Sequence, residues 1–517
     1  MSRPNMMNGA GSLVHTLLNA DVDTCFANPG TSEMHFVAAL DQIPGMRCVL
    51  GLQENVVTGM ADGYYRIAGK PACTLLHCGP GLANGMANLH NARRAGAGII
   101  NVVGDQATYH RPLDAPLTAD TDAMARTVSH WVRTSTRAAD VGRDAAAAVQ
   151  AARARQIATL ILPADASWIE EGVVAEPLAP LGPPPIDPLA VENAARILRR
   201  SRKTLLLLGG QGVLAPAQAL AWRIAHATGA HVMAAFTNGH VARGRGRLQL
   251  ERVPYVGEQA IRALNGYEHI ILVNAKPPVG FFAYPGKPST YCPSEAELHV
   301  LSRSDQDPEA ALQLLADELG APEAAIPDPG PRPAPVTGAP TPEGLALMLA
   351  AIMPEEAIIS DESISYGRGF YQHTHAAPPH DWLHLGGGAI GGGMPVATGA
   401  AIGSNRQRRV INLQADGSAM YSVQSLWTQA RERLPVTTIL LSNRKYNILI
   451  GEYKNVGAVP GPTAMSMLDL SNPALDWVRI ASGMGVEAAS ASTLQECSDL
   501  MKQSFRQAAP FLIELMI

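Results

Sequence analysis

Residues 409–443, RVINLQADGSAMYSVQSLWTQARERLPVTTILLSN, carry the most informative alternation of apolar and polar positions in the chain. Arg409 to Gln414 is a short apolar run of the kind that forms a buried strand, and Ala415-Asp416-Gly417-Ser418 is a turn. Val423, Leu426, Trp427, Ala430 and Leu434 then fall at i, i+3, i+4, i+7 and i+11, the stripe of a helix lying on a sheet. Pro435 stops that helix, and Val436 to Leu441 is a second strand ending at Ser442-Asn443. A strand–helix–strand crossover is right-handed, so both strands run parallel. Asp416 and Asn443 then emerge at the same carboxyl edge, where open α/β sheets bind ligands.

The same alternation recurs elsewhere. Ser12 to Leu18 starts a helix, and Thr24–Ala27, Arg47–Leu50 and Pro71 to Leu76 read as strands, with a helix rich in small residues running from Glu54. Further on, Pro342–Met353 is a helix and Ala357–Ser360 a strand leading to Asp361-Glu362-Ser363. Alternating strands and helices predict parallel sheets and an α/β fold. Two proline-rich stretches, 171–188 and 321–342, read as extended linkers, because closely spaced prolines remove donors and fix φ. They separate three expected domains, 1–170, 186–320 and 340–517.

Composition narrows the function classes. At 517 residues, 47% apolar and 16% charged, the chain can bury large cores. A net charge of −5 gives no electrostatic footprint for nucleic acid. The six cysteines, at 25, 48, 73, 78, 292 and 497, include no C-x-x-C pair, so neither a zinc ribbon nor a disulfide framework is expected, and a reducing cytoplasm fits. MSRPNMMNGAG lacks the apolar core of a signal peptide, and runs such as Thr204–Leu208 are too short to span a bilayer.

A carboxylate and an amide oxygen at neighbouring strand ends, Asp416 and Asn443, suit Mg²⁺ bridging protein to a diphosphate, and the N–H groups of Gly417 and Ser418 can meet phosphate oxygens. Glu54 opens its helix, where the dipole favours an anion. HLGGGAIGGGMPVATGAAIG, residues 384–403, lets backbone approach a ring system closely. In the middle segment, Gly210-x-Gly212-x-x-Ala215 fits a dinucleotide fingerprint, but HATGAHVMAAFTN lacks the acid expected some twenty positions on. Arg243, Arg245 and Arg247 form a basic cluster that either meets a phosphate or is a solvated loop.

Together these stretches resemble the thiamine diphosphate (ThDP) enzymes, whose diphosphate anchor is a Gly-Asp-Gly followed some thirty residues later by Asn-Asn. Here Ala415 replaces the first Gly and Ser442 the first Asn. The resemblance implies three doubly wound parallel-sheet domains: pyrimidine-binding, middle and diphosphate-binding. It implies Mg²⁺ on Asp416, Asn443 and the carbonyl of Lys445, with Gly417, Ser418 and Tyr446 near the diphosphate. The run QENVVTGMADGYYRIAGKPA places Glu54 where the family has its indispensable acid, which bonds the aminopyrimidine so that a C2 ylide can form. Ile390 takes the place of the apolar wedge under the cofactor, and Gly388 offers a carbonyl to the pyrimidine.

LHCGPGLAN puts His77 where benzoylformate decarboxylases carry a proton-transferring histidine and acetolactate synthases usually a small hydroxyl residue. Thr31 stands where the former hold the substrate carboxylate, while Asn84 and Gln106 occupy substrate-facing loops. His110 is a further candidate without a counterpart. KPPVGFFAYPGKP, where those decarboxylases have a second catalytic histidine, offers Phe281 and Phe282 instead.

The activity so implied is a benzoylformate decarboxylase-like 2-oxo acid decarboxylase or carboligase, working through a C2 ylide and an enamine. The alternative is an acetolactate synthase-like carboligase, with or without FAD in the middle domain. A non-catalytic relative would have lost Glu54 or Asp416, and both are present. The family's architecture also implies a homodimer or homotetramer whose subunits share active sites, acting on a small molecule away from nucleic acid and membrane.

Overall fold

The computed structural model describes residues 7–517; residues 1–6, part of the stretch considered above as a signal sequence, lie outside the described residues. The first sheet holds β1 (Thr24–Asn28), β2 (Arg47–Leu50), β3 (Ala72–Leu76), β4 (Ile99–Asp105), β5 (Trp131–Thr134) and β6 (Ile157–Pro163). They lie in the order β2-β1-β3-β4-β6-β5, every pairing parallel. β3 and β4 are buried along their whole length, as parallel strands covered on both faces are.

Four strands of the middle segment, β7 (Thr204–Leu208), β8 (His231–Ala234), β10 (Glu251–Arg252) and β11 (His269–Val273), join β12 (Glu297–Ser302) in a second parallel sheet, ordered β10-β8-β7-β11-β12. The strand between β8 and β10, β9 (His240–Arg243), leaves this sheet. It lies antiparallel on the edge of the third sheet, with His240 opposite Leu383 and Arg243 opposite His380.

That third sheet runs β17 (Glu487–Ala491), β18 (Phe511–Met516), β16 (Val436–Ser442), β15 (Val410–Ala415), β13 (Ala357–Glu362), β14 (His380–His384), then β9. It is therefore parallel except for one borrowed strand, which neither proline-rich stretch foreshadows. Burial explains the loan. Arg243 stacks 3.3 Å over the Tyr371 ring and donates to Thr374 Oγ1 at 2.9 Å, while His240 Nε2 meets Asp381 Oδ1 at 2.7 Å.

The helix Glu54–Ala68 ends at Gly69, whose φ of 71° is the left-handed cap that glycine adopts without a Cβ penalty. It packs backbone to backbone on the helix Gly393–Gly403. A Cβ at Gly63 would fall 2.1 Å from the Val396 carbonyl oxygen, and one at Gly399 would fall 1.9 Å from that of Met60. One apolar core accordingly runs across the first and third sheets, from Val57 and Met60 to Ala397 and Ile402. Residues 171–187 and 321–341 carry no helix or strand. Their carbonyls are held from outside: Gln150 donates to Ala179 at 2.7 Å, Gln306 to Pro185 at 2.6 Å and Trp222 to Ala325 at 2.9 Å. No helix among the described residues is long and apolar enough to cross a membrane.

Candidate active site

β15 and β16 pair in parallel with Val410 opposite Val436 and Ala415 opposite Leu441, which sets Asp416 and Asn443 at adjacent strand ends. The expected turn is a single helical turn, Asp416–Ala419, and the expected long helix is shorter, Ser425–Arg431, because Arg433 adopts a left-handed φ of 48°. Asp416 is buried. Its Oδ1 accepts from Gly417 N at 2.8 Å and its Oδ2 from Arg444 N at 2.6 Å. Burial raises its pKa, opposed by those backbone donors.

Asn443 Oδ1 accepts from Lys445 N at 3.0 Å, and Tyr446 lays its ring on Gly417, where a Cβ would come 2.6 Å from the ring edge. A cavity of about 530 Å³ opens beside Asn443, Arg444 and Lys445, lined also by Ile450, Met465 and Leu468.

Two residues that the sequence left without a role hold this turn to the glycine-rich loop. Glu362, the last residue of β13, is buried and accepts from Gly391 N and Gly393 N, both at 2.5 Å, and from Gln414 Nε2 at 3.1 Å. Gln414 also donates to Ser418 Oγ at 2.8 Å. Burial pushes the Glu362 carboxyl up to about 7 despite these three donors. From the first sheet's side, Asn88 Nδ2 donates to Gly391 O at 3.3 Å, and Asn91 pairs with Ala389 through both its amide nitrogen and oxygen. These contacts flank Ile390. Gly388 has a φ of 80°, and a Cβ there would lie 2.3 Å from Phe281 Cζ, so Phe281 closes over the loop with Phe282 edge-on beside it at 5.2 Å between centroids.

At the carboxyl edge of the first sheet, Gln53 caps the helix through Asn55 N, and Glu54 follows, 7% exposed. Asn84 Nδ2 donates to Glu54 Oε2 at 3.0 Å. Gly81 passes between two of the candidates: a Cβ on it would lie 3.1 Å from Glu54 Oε1 and 3.4 Å from His77 Cβ. His77 Nδ1 lies 3.0 Å from Glu33 Oε2 and 3.2 Å from Ser32 Oγ, and its ring rests on Gly30. Glu33 is buried, and Gly30 N donates to it at 2.7 Å. Nothing local in the sequence marks Glu33, because Gly30 has no side chain with which to complete a capping box.

Thr31 is exposed beside this ring, in the short turn Thr31–Glu33. Among the described residues no hydrogen bond joins Glu54 to Asp416 or Asn443, and neither Gln106 nor His110 bonds to the Glu54–His77 group. Gln106 N instead donates to Asp105 at 2.8 Å, and His110 precedes a turn at Arg111–Leu113. Of the basic cluster, Arg243 is buried under Tyr371, and Arg245 pairs with Asp328 at 2.8 Å on the second linker.

Two strand-end clusters on parallel sheets, one built on a buried acid and one on an acid–amide pair, define a class that sequence comparison makes explicit. The thiamine pyrophosphate enzyme N-terminal TPP-binding domain matches residues 7–126, and the C-terminal TPP-binding domain matches residues 365–515. The chain belongs to the thiamine pyrophosphate enzymes.

Within that family it is 48% identical to IlvX of Mycobacterium tuberculosis, over 99% of both chains, a protein provisionally named as an acetolactate synthase large subunit. It is 30% identical to benzoylformate decarboxylase of Pseudomonas aeruginosa over 95% of both. The ThDP-dependent 4-hydroxybenzoylformate decarboxylase of Rhodococcus jostii RHA1 superposes with a TM-score of 0.83 at 25% identity, covering 98% of each chain. The protein is thus a ThDP-dependent enzyme related to acetolactate synthase and benzoylformate decarboxylase.

Proposed function

We propose that the enzyme is a Mg²⁺-dependent 2-oxo acid decarboxylase that releases an aldehyde. The observation that carries this reading is the pairing of His77 with buried Glu33, 3.0 Å apart, within the group that holds Glu54 and Asn84. A carboxylate accepting from Nδ1–H fixes the imidazole's orientation and tautomer, leaving Nε2 as the nitrogen that takes up a proton and then hands it on. ThDP, when bound, supplies a nucleophilic carbon and an electron sink.

The residues fit that cofactor. Glu362 and Asn88 pin Gly391, Glu362 also pins Gly393, and Asn91 pins Ala389, so Ile390 stands between those anchors with the bare backbone of Gly388 just before them. Asp416 and Asn443 offer hard oxygen donors, with lone pairs left beyond the single N–H each oxygen accepts, as Mg²⁺ prefers, and the Lys445 carbonyl would complete the set. Glu54 would hold the aminopyrimidine through one hydrogen bond in a buried setting. Thr31 would orient the substrate carboxylate, and Phe281 and Phe282 would line an apolar side-chain pocket. Subunits would share these sites in a homodimer or homotetramer. Free cysteines are consistent with a reducing cytoplasm.

A second reading, a carboligase of the acetolactate synthase type, is favoured by the 48% identity to IlvX. Proton NMR of the enzyme with ThDP and Mg²⁺ separates the two, using pyruvate, a branched 2-oxo acid and benzoylformate in turn. Aldehyde is the expected product; acetolactate or another 2-hydroxy ketone would replace the first reading by the second. No turnover of any of the three would reject both readings for these substrates.

A further inference from the structure

A second group of ligand-type side chains lies on the middle sheet, at the amino ends of its strands. His269 opens β11 and Glu297 opens β12, and the parallel register sets them side by side. His299 follows Glu297 by two residues, so both project from the same face of β12. His269 Nδ1 lies 3.3 Å from His299 Nε2 and 3.3 Å from Glu297 Oε2, and His299 Nε2 lies 3.5 Å from that same oxygen.

Ligands held at about 2.0–2.1 Å from a tetrahedral Zn²⁺ stand roughly 3.3 Å apart. The three atoms therefore already outline one face of such a tetrahedron. Two imidazoles and a carboxylate, with a fourth position for water, are a zinc ligand set, and imidazole nitrogen selects zinc-type ions over Mg²⁺.

The position suits a separate site. β12 is the outermost strand of its sheet, and the Glu297 side chain is 68% exposed while the two imidazoles are 21% and 25% exposed. The rings are thus held, and the carboxylate is free to close on an ion. A nearby cation, Arg196, opposes this, but its guanidinium is drawn onto Asn193 Oδ1 at 3.1 Å. The cluster lies at the opposite end of the strands from the Gly210 turn, so it is not the crevice in which such sheets bind nucleotides. We propose that His269, Glu297 and His299 form a binding site for a zinc-type divalent transition-metal ion on the middle sheet, distinct from the ThDP site.

The test uses the full-length chain loaded with ThDP and saturating Mg²⁺, titrated with ZnCl₂ against a chromophoric chelator, with bound zinc counted after gel filtration. The expected result is a single tightly held zinc ion per chain, replaced by Co²⁺ with the strong visible bands of a tetrahedral complex. His269→Asn combined with His299→Asn should abolish it. Glu297→Gln, at an exposed position that does not hold the fold together, should weaken it by at least about tenfold, the smaller end of what even an outer-shell loss costs a metal site. Zinc should also raise the melting temperature of the parent chain and not that of the double variant.

Equal zinc in the parent and the double variant overturns the proposal, as does no zinc in the parent. Loss of zinc in His77→Ala alone would also overturn it, because that assigns the ion to Glu33, His77 and Cys78.

Discussion

Glu54 and His77 flank Gly81 yet are held by different partners, and replacing them should fail in different ways. Glu54→Gln should lower turnover by about 10²–10⁴, the range for a lost acid–base group, while Asn84 can still donate to the remaining carbonyl oxygen. Glu33→Gln leaves Glu54 untouched and loosens the imidazole, while the remaining carbonyl oxygen can still accept from Gly30 N. We expect turnover to fall with little change in ThDP affinity, and Glu33→Gln with His77→Ala to cost no more than His77→Ala alone, the non-additivity of two residues acting as one; steady-state kinetics and ThDP titration check both. Glu362 carries a pH dependence instead. Its carboxyl is pushed from 4.5 to about 7, so between those values the folded chain holds a proton that the unfolded chain has lost. The stability this contributes is complete below about pH 4.5 and is lost as pH rises through about 7, by about 3 kcal/mol for the cofactor-free chain. Glu362→Gln should flatten that fall in melting temperature between about pH 5 and pH 8, read by calorimetry.

At the scale of elements, the glycine-rich loop is the part that other elements must shape. Gly388→Ala would force a side chain into a φ of 80° and drive its Cβ against Phe281. The backbone penalty alone is about 1–2 kcal/mol, and ThDP affinity should fall accordingly in a fluorescence titration. Adding Phe281→Ala should recover the steric share and leave the backbone share, which separates the two causes. The strands and the Asp416–Asn443 edge were legible in the sequence because parallel strands covered on both faces need unbroken apolar runs, and a right-handed crossover fixes where they end. Glu54 was legible as a helix start closed fifteen residues later by Gly69. Glu362 was not, since Asp361-Glu362-Ser363 reads as a polar strand end. Its meaning comes from the N–H groups of Gly391 and Gly393, about thirty residues on. Glu33 was missed for the same reason, its partner His77 lying 44 residues away.

On the whole-molecule scale, β9 ties the middle segment to the third sheet while the helices Glu54–Ala68 and Gly393–Gly403 weld the first sheet to the third. Val241→Pro puts a residue without an N–H into β9 and should split a single calorimetric transition into two, because the core on the other face of the second sheet, around Leu205, Leu207 and Ile270, includes no β9 residue. A four-residue strand whose partner lies some 140 positions away leaves almost no trace in hydrophobic period, so neither linker foretells the exchange of β9. The loan of β9 also limits modularity. A recombinant that exchanges the middle segment between relatives, cut at the two proline-rich stretches, would replace a strand of its neighbour's sheet as well as its own. Unless the incoming segment restores that strand, β14 is left as a bare edge, a template for chain-to-chain association. Inheritance in this architecture would then favour whole-chain divergence over the shuffling of separate cassettes.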